Sequence, residues 1–198
     1  MTKSLSIFEH KKSFFISNES LILIFSTIIL FLIAYLHQTP NFDFGNLITF
    51  FSVIWFLYLT GFMISTFFLH QHKNGKFKGK LKLENDTIFI NGKEYQIAEI
   101  HNISIHSSDI KGQFIGYSFE FSRKLSNGLN NEIVLKFKNG KQIKCHFLQT
   151  KRERIKNHKD CLINYHLKGK INWLHLLNIL EIEDYDKIQV FKRELKEL

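Results

Sequence analysis

Two stretches of this chain carry no charged side chain, and they limit what the rest can become. Leu21–Leu36, "LILIFSTIILFLIAYL", runs for 16 residues, and Leu47–Leu69, "LITFFSVIWFLYLTGFMISTFFL", runs for 23. A helix rising 1.5 Å per residue needs roughly 20 predominantly apolar residues to cross the hydrocarbon of a bilayer. The second stretch is long enough alone. The first reaches that length when Ser17–Ser20 or His37 and Gln38 lie at the headgroups. Cleavage as a signal peptide is disfavoured, because "AYLHQTPNF" offers no small-x-small site and a second span follows at once. The sequence therefore predicts a retained transmembrane α-hairpin over residues 21–69, with spans at about 21–36 and 47–69.

Charge around the hairpin sets its expected direction. Lys3, Lys11 and Lys12 precede the first span, the connection "HQTPNFDFGN" has no Lys or Arg, and Lys73, Lys76, Lys78, Lys80 and Lys82 follow the second span. Positive loops stay on the cytoplasmic side. The expected arrangement is a multi-pass protein of the cell inner (cytoplasmic) membrane with both termini cytoplasmic, and residues 1–20 as a cytoplasmic N-terminal segment. No Asp, Glu, Lys or Arg lies inside either span, which argues against an ion path or a transport site. Gly61 and Ser65 lie four apart on one helical face, where small residues allow close helix packing, either with the first span or in a homodimer.

Most of the chain lies after the hairpin, and so does the excess of positive charge. The formal net charge is +9, and residues 70–198 hold 24 Lys and Arg against 15 Asp and Glu, whereas the first 69 residues balance 3 against 3. Such a surface suits anionic lipid headgroups, nucleic acid or an acidic protein face. The segments themselves are short and alternating. "GKLKLEND", "TIFING" and "KEYQI" are separated by Asn85-Asp86 and Asn91-Gly92, the latter a strong two-residue hairpin signal. "IHNISIHSS" and "FIGYSFEFS" read as further strands. In "NEIVLKFKNGKQIKCHFLQ" a turn at Asn139-Gly140 sets Ile133, Leu135 and Phe137 against Ile143, Cys145 and Phe147. Thr150 to about Leu167 reads as one helix, with Ile155, Cys161, Leu162 and Tyr165 on its apolar face and Gly169 ending it. "INWLHLLNIL" and "DYDKIQVFKREL" read as two further short helices, a C-terminal extension over 168–198.

The predicted class is α+β, a transmembrane hairpin followed by a small antiparallel β-barrel or sandwich capped by C-terminal helices. Residues 76–167, through "GKLKLENDTIFINGKEYQIAEIHNISI" and "NEIVLKFKNGKQIKCHFLQ" before a helix, resemble the pleckstrin-homology-like (PH-like) domains of bacterial membrane proteins. The resemblance implies a non-enzymatic scaffold that binds lipid headgroups, peptides or other domains. The strand-turn-strand-helix order is shared with membrane-tethered DNA-binding domains of the LytTR type, but their Arg-x-His-Arg-Ser element is absent from "NYHLKGKINWLHLL". A nucleic-acid-binding regulator is thus the alternative, as is a structural subunit of a membrane complex.

Two basic groups are the candidate anionic-surface residues. Lys73, Lys76, Lys78 and Lys80 follow the second span, where each Lys near an anionic membrane contributes about 1 kcal/mol. Lys151, Arg152, Arg154, Lys156 and Lys159 gather where the capping helix is expected to start, a position whose dipole favours anions over cations. They imply an anionic partner there. His70 and His72 in "HQH" cannot share one helical face as metal ligands and suit interfacial anchoring. No phosphate loop, nucleophile elbow or zinc-protease helix is present, so neither catalysis nor a cofactor is expected. Cys145 and Cys161 are expected to be reduced, packed thiols.

Overall fold

The computed structural model describes residues 4–11, 16–38, 45–116 and 122–197. The expected external turn is therefore largely outside the described residues, as are Lys3, Lys12 and the centre of "FIGYSFEFS". The elements follow in the order β1 (Leu5–His10), α1 (Asn18–His37), α2 (Gly45–Thr66), β2 (Gly75–Leu83), β3 (Thr87–Ile90), β4 (Lys93–Gln96), β5 (Ile100–His106), β6 (Asn131–Phe137), β7 (Gln142–Phe147), α3 (Lys159–Leu167), α4 (Trp173–Leu180) and α5 (Tyr185–Lys196). They form two compact units. One comprises Met1–Lys11, Gly75–Gln113 and Ser126–Leu198; the other comprises Lys12–Asn74 and Phe114–Leu125.

In the second unit α1 and α2 are each long and apolar enough to cross a membrane. Their apolar side chains find little cover: α1 has no buried residue and α2 has only Thr66. Such surface is stable where hydrocarbon replaces water. Their hydroxyls bond inside the helices, Thr27 to the Leu23 carbonyl at 2.7 Å, Thr49 to Gly45 at 3.0 Å and Thr60 to Phe56 at 2.9 Å. Spanning helices have to satisfy polar groups internally in this way. Ser17 caps α1 by accepting from the Ser20 amide at 3.1 Å. The second span was expected to continue to Leu69, yet α2 stops at Thr66. A distant segment takes over its last carbonyls: the Lys124 amide donates to Thr66 and the Leu125 amide to Leu69.

The other unit is built on seven antiparallel strands in the order β4-β3-β2-β1-β7-β6-β5. Its central strand, β1, lies upstream of the hairpin. Residues 1–20 were expected to be a segment outside the domain, but Leu5, Ile7 and Phe8 are 1%, 6% and 2% exposed. Leu5 pairs with Leu81 of β2, and Ile7 with Phe147 of β7. The signal was the short alternation in "SLSIFEH". The α1–α2 hairpin is therefore inserted between two paired neighbours of one sheet, and the chain leaves and re-enters that sheet at His10 and Gly75, which face each other in the register.

The sheet is open, which corrects the expected closed barrel or sandwich. Its two edges, β4 and β5, are consecutive in sequence but joined by a 3₁₀ turn, Ile97–Glu99, whose backbone bonds elsewhere: the Ile97 amide donates to Asp86 and the Glu99 carbonyl accepts from Lys138. The β5 edge is covered. Its Ile103 amide donates to the Lys170 carbonyl at 2.9 Å and its Ile105 amide to Nε2 of His175 at 2.8 Å. The β4 edge is short and carries Lys93, Glu94 and Gln96, a polar rim that discourages strand addition.

The expected turns form where the chemistry allows them. Asn91 and Gly92 take φ of 52° and 77° in the β3–β4 hairpin. In the β6–β7 hairpin Ile133 pairs with Cys145 and Leu135 with Ile143, as the alternation predicts. A bulge between Ile100 and Asn102 turns His101 outward while Ile100, Ile103 and Ile105 stay in the core.

The capping helix begins later than expected. Residues 150–154 form a turn, Ile155–His158 is 3₁₀ and α3 starts at Lys159. Gln149, 1% exposed, causes this delay. Its Oε1 accepts the Ile155 amide at 2.9 Å, while its Nε2 donates to the Ser107 carbonyl at 2.7 Å and to Oδ1 of Asn131 at 3.0 Å. Leu162 and Tyr165 of α3, Leu176 and Ile179 of α4 and Phe191 of α5 complete the same core, so residues 168–198 belong to the domain. Trp173 stacks on Phe191 with ring centroids 5.7 Å apart.

Because Gln149 joins the β5–β6 connection, β6 and the cap, Gln149→Leu takes the side-chain partner from the Ile155 amide and the Ser107 carbonyl, while Oδ1 of Asn131 keeps the Asp109 amide. At about 1–3 kcal/mol for each group left unpaired, the loss is about 2 kcal/mol or more. Denaturant unfolding in mild detergent, followed by near-ultraviolet circular dichroism, checks this figure.

Candidate anionic-surface interface

The first basic group does not form a single stripe. Lys73 lies in the link between α2 and β2, and Lys76, Lys78 and Lys80 lie in β2, all exposed. Between Ser6 and Phe8 the register advances two residues on β1 but three on β2, from Lys80 to Phe77. Gly79 takes up the extra residue at φ 83°, where an added Cβ would collide with Asn91. Paired residues share a face, so the bulge puts Lys80 and Phe77 on the face of Ser6 and Phe8, and Lys76 and Lys78 on the face of Glu9. Two contacts agree with this division: Lys78 Nζ is 3.1 Å from Glu9, and the Phe8 and Phe77 rings meet edge to face at 5.3 Å. Lys76 and Lys78 flank the point where the chain re-enters the sheet.

The second group lies largely before the helix, and its charges are mostly answered within the molecule. Arg154 and Lys156 converge on Glu181, with Lys156 Nζ 2.7 Å from Oε2. Lys159 is 3.6 Å from Glu194 and lies over the Phe191 ring at 5.1 Å. These three cations, expected to face an anionic partner, have partners within the molecule, because carboxylates reach them from the C-terminal helices. Glu181 is the C-cap of α4, with φ 58° and its amide bonded back to the Asn178 carbonyl, a left-handed conformation that costs a non-glycine residue about 1 kcal/mol or more. Lys151 and Arg152 remain exposed on the turn before α3, with no carboxylate in ion-pair range among the described residues.

Sequence reasoning missed a third basic group. The β6–β7 hairpin brings Lys136, Lys138 and Lys141 to its tip, all exposed. They are scattered in sequence terms but become neighbours once the turn forms. It also missed Arg123, whose Nη2 lies 2.6 Å from Glu19 in the first turn of α1 and whose Nη1 donates to the His70 carbonyl at 3.2 Å. His72 sits 3.8 Å from the same Glu19. Ion pairing and backbone capture thus occupy the residues around "HQH".

The remaining candidates are placed as follows. A Cβ on Gly61 would meet nothing within 4 Å, so the contact between α1 and α2 does not run through the Gly61 and Ser65 face. Ser65 donates back to the Phe62 carbonyl at 2.7 Å. Burial raises the Cys145 thiol to about 12, where it is an inert packing group, and also raises Cys161. Both thiols are free. Among the described residues no three His, Cys, Asp or Glu side chains gather as a metal site.

A polar cleft of about 490 Å³ opens beside the covered edge of β5, lined by His106, Ser108, Arg154, His175, Glu181 and Glu183 among others. His175 accepts from the Ile105 amide, so it is neutral in this fold. Burial first, and then the neighbouring His106, hold its pKa below the ordinary histidine value. The unfolded chain therefore binds the proton more readily. Stability is full above about pH 6.5, the unfolded value, and is lost as pH falls below it. Unfolding free energies at pH 7.5 and 5.5 are expected to show this loss, and His175→Gln, which keeps an acceptor without titrating, reduces it. Equal acid losses in the two proteins would contradict the assignment. The slope left in the variant includes His72 and His146, whose pKa values burial also lowers.

No protein-family model, curated protein or solved structure matches this chain.

Proposed function

We propose that this chain is a non-enzymatic integral membrane protein that presents a PH-like interaction module at the inner face of the cytoplasmic membrane and binds anionic lipid headgroups there. One observation carries the reading: the hairpin is inserted between β1 and β2, so the module is tied to the bilayer through two adjacent strands. Two crossings return the chain to its starting side, and the pairing of His10 with Gly75 requires that return. The lysine distribution makes that side cytoplasmic. Seven antiparallel strands followed by a capping helix support the PH-like assignment that the sequence resemblance implies.

The cations offered to lipid are exposed ones outside the ion pairs described above. Lys76 stands beside the point of re-entry. Lys151 with Arg152, and the hairpin tip of Lys136, Lys138 and Lys141, are further exposed pairs and clusters suited to anionic headgroups or an acidic protein face. Arg154, Lys156 and Lys159 are assigned to internal ion pairs.

Lipid preference is measured by native mass spectrometry of the delipidated full-length protein, titrated with phosphatidylglycerol or phosphatidylcholine. The expected result is preferential retention of the anionic lipid, reduced by Lys76→Gln and weakened by salt. The full chain is the necessary material, because a fragment starting at residue 76 lacks β1. Equal retention of the two lipids would remove the lipid reading and leave a protein partner.

A further inference from the structure

The β5–β6 connection contains an element that the proposed function leaves unused. Gly112 and Ser126, and Ser126 and Gln113, exchange backbone bonds of 2.9 and 2.8 Å, closing the base of the connection. Beyond that base the chain belongs to the hairpin unit. Lys124 donates to the Thr66 carbonyl at 2.8 Å, Leu125 to Leu69 at 3.2 Å, and Gln71 back to Leu125 at 2.7 Å. The Ile115 amide donates to Lys124 at 2.9 Å, so residues 114–116 and 122–125 support each other against the end of α2. Arg123 adds the ion pair to Glu19 and the bond to His70, fastening the same strap to the first turn of α1.

This fastening holds apolar side chains outward. Phe114 is 53% exposed although it stacks on Phe67, with ring centroids 6.2 Å apart and planes 14° from parallel. Phe67 and Phe68 are 50% and 74% exposed, and Ile115 is 37%. They continue the uncovered apolar surface of α2, where Leu57 and Ile64 are also more than half exposed. Glu19, Arg123 and His72 lie at the same end of the helices, so the exposed rings stand where hydrocarbon-facing residues give way to charged ones. Aromatic side chains and cationic groups share this level at a bilayer boundary, since rings partition into the headgroup and upper acyl region.

We propose that Phe114 and Ile115, together with Phe67 and Phe68, insert into the boundary between headgroups and acyl chains, making the β5–β6 connection a second membrane contact outside the two spans. The occupant is lipid, argued from the continuity of these residues with the lipid-facing surface of α2. The inference rests on the reading of α1 and α2 as spans. It assigns the strap a purpose: within the hairpin unit, residues 114–116 and 122–125 hold the end of α2 and carry their own apolar contact to the bilayer.

The test uses the full-length chain in nanodiscs of phosphatidylcholine and phosphatidylglycerol, with nitroxide labels placed singly at Phe114→Cys, Phe31→Cys and Lys192→Cys after replacing Cys145 and Cys161 with Ala. The ratio of oxygen to nickel-chelate collision rates reports depth. The expected ratio at 114 exceeds that at 192, exposed on α5, by several-fold and falls below that at 31, within α1. A second measurement needs no substitution. A lipid with a photoreactive diazirine near its ester carbonyl is irradiated with the native protein, and adducts are expected on the tryptic peptide 112–123. A ratio at 114 equal to that at 192, or absence of adducts on this peptide while the helices are labelled, would overturn the inference and leave the spans intact. Shielding of 114 from both reagents, as under a protein partner, would overturn it too. A water-like ratio at 31 would instead remove the membrane reading on which it rests.

Discussion

The pairing of β1 with β2 across the inserted hairpin is the constraint on which the rest of this structure depends. Leu5 opposite Leu81 and Glu9 opposite Lys76 bring together residues separated in sequence by both apolar helices. β1 also pairs with β7, so it joins the two halves of the sheet, β2–β4 and β5–β7. Removing it would expose Leu81, Phe147 and their neighbours and leave two ribbons with no common ladder. The same pairing fixes a property of the hairpin: the chain must return to the side it left. An anchor at the start or end of a chain imposes no such condition.

That arrangement also explains why charge counting overstated the open basic surface. Sequence shows Lys and Arg in runs, but the fold brings carboxylates to several of them from far along the chain. Arg154 and Lys156 meet Glu181, Lys168 meets Asp86, Lys144 meets Glu132 and Lys78 meets Glu9. Exposed pairs of this type contribute about 0–1 kcal/mol each to stability. Their larger effect is on recognition, since each paired cation presents less field to an outside anion. Exposed cations outside these pairs include Lys76 beside the hairpin entry, Lys151 and Arg152 on the turn before α3, and the lysines at the β6–β7 tip.

The sequence made legible whatever depends on local pattern. Two uncharged runs became α1 and α2; Asn91-Gly92 became a two-residue turn because both positions accept positive φ; and alternation between Ile133 and Phe147 gave the register of β6 and β7. Features that depend on distant partners were not legible. β1 is six residues long, and only its neighbours show that it is central. The late start of the capping helix depends on Gln149, whose contacts come from residues 107, 131 and 155. The division of the β2 lysines depends on one extra residue at Gly79, which alternation alone cannot reveal. The early end of α2 depends on Lys124 and Leu125, more than fifty residues away in sequence.

The most direct test of the inserted-hairpin account is disulfide trapping across it in the full-length chain in membranes. Glu9→Cys and Lys76→Cys place thiols at paired positions of an antiparallel ladder, where Cβ atoms lie about 4.5–5.5 Å apart. Mild oxidation is predicted to join peptides containing residues 9 and 76 within one molecule, as mapped by mass spectrometry, while a Glu9→Cys, Lys138→Cys pair stays open. Failure of 9 and 76 to join in membranes where the protein is folded would contradict the account, because strands held on opposite sides of a bilayer, or not paired at all, give that result.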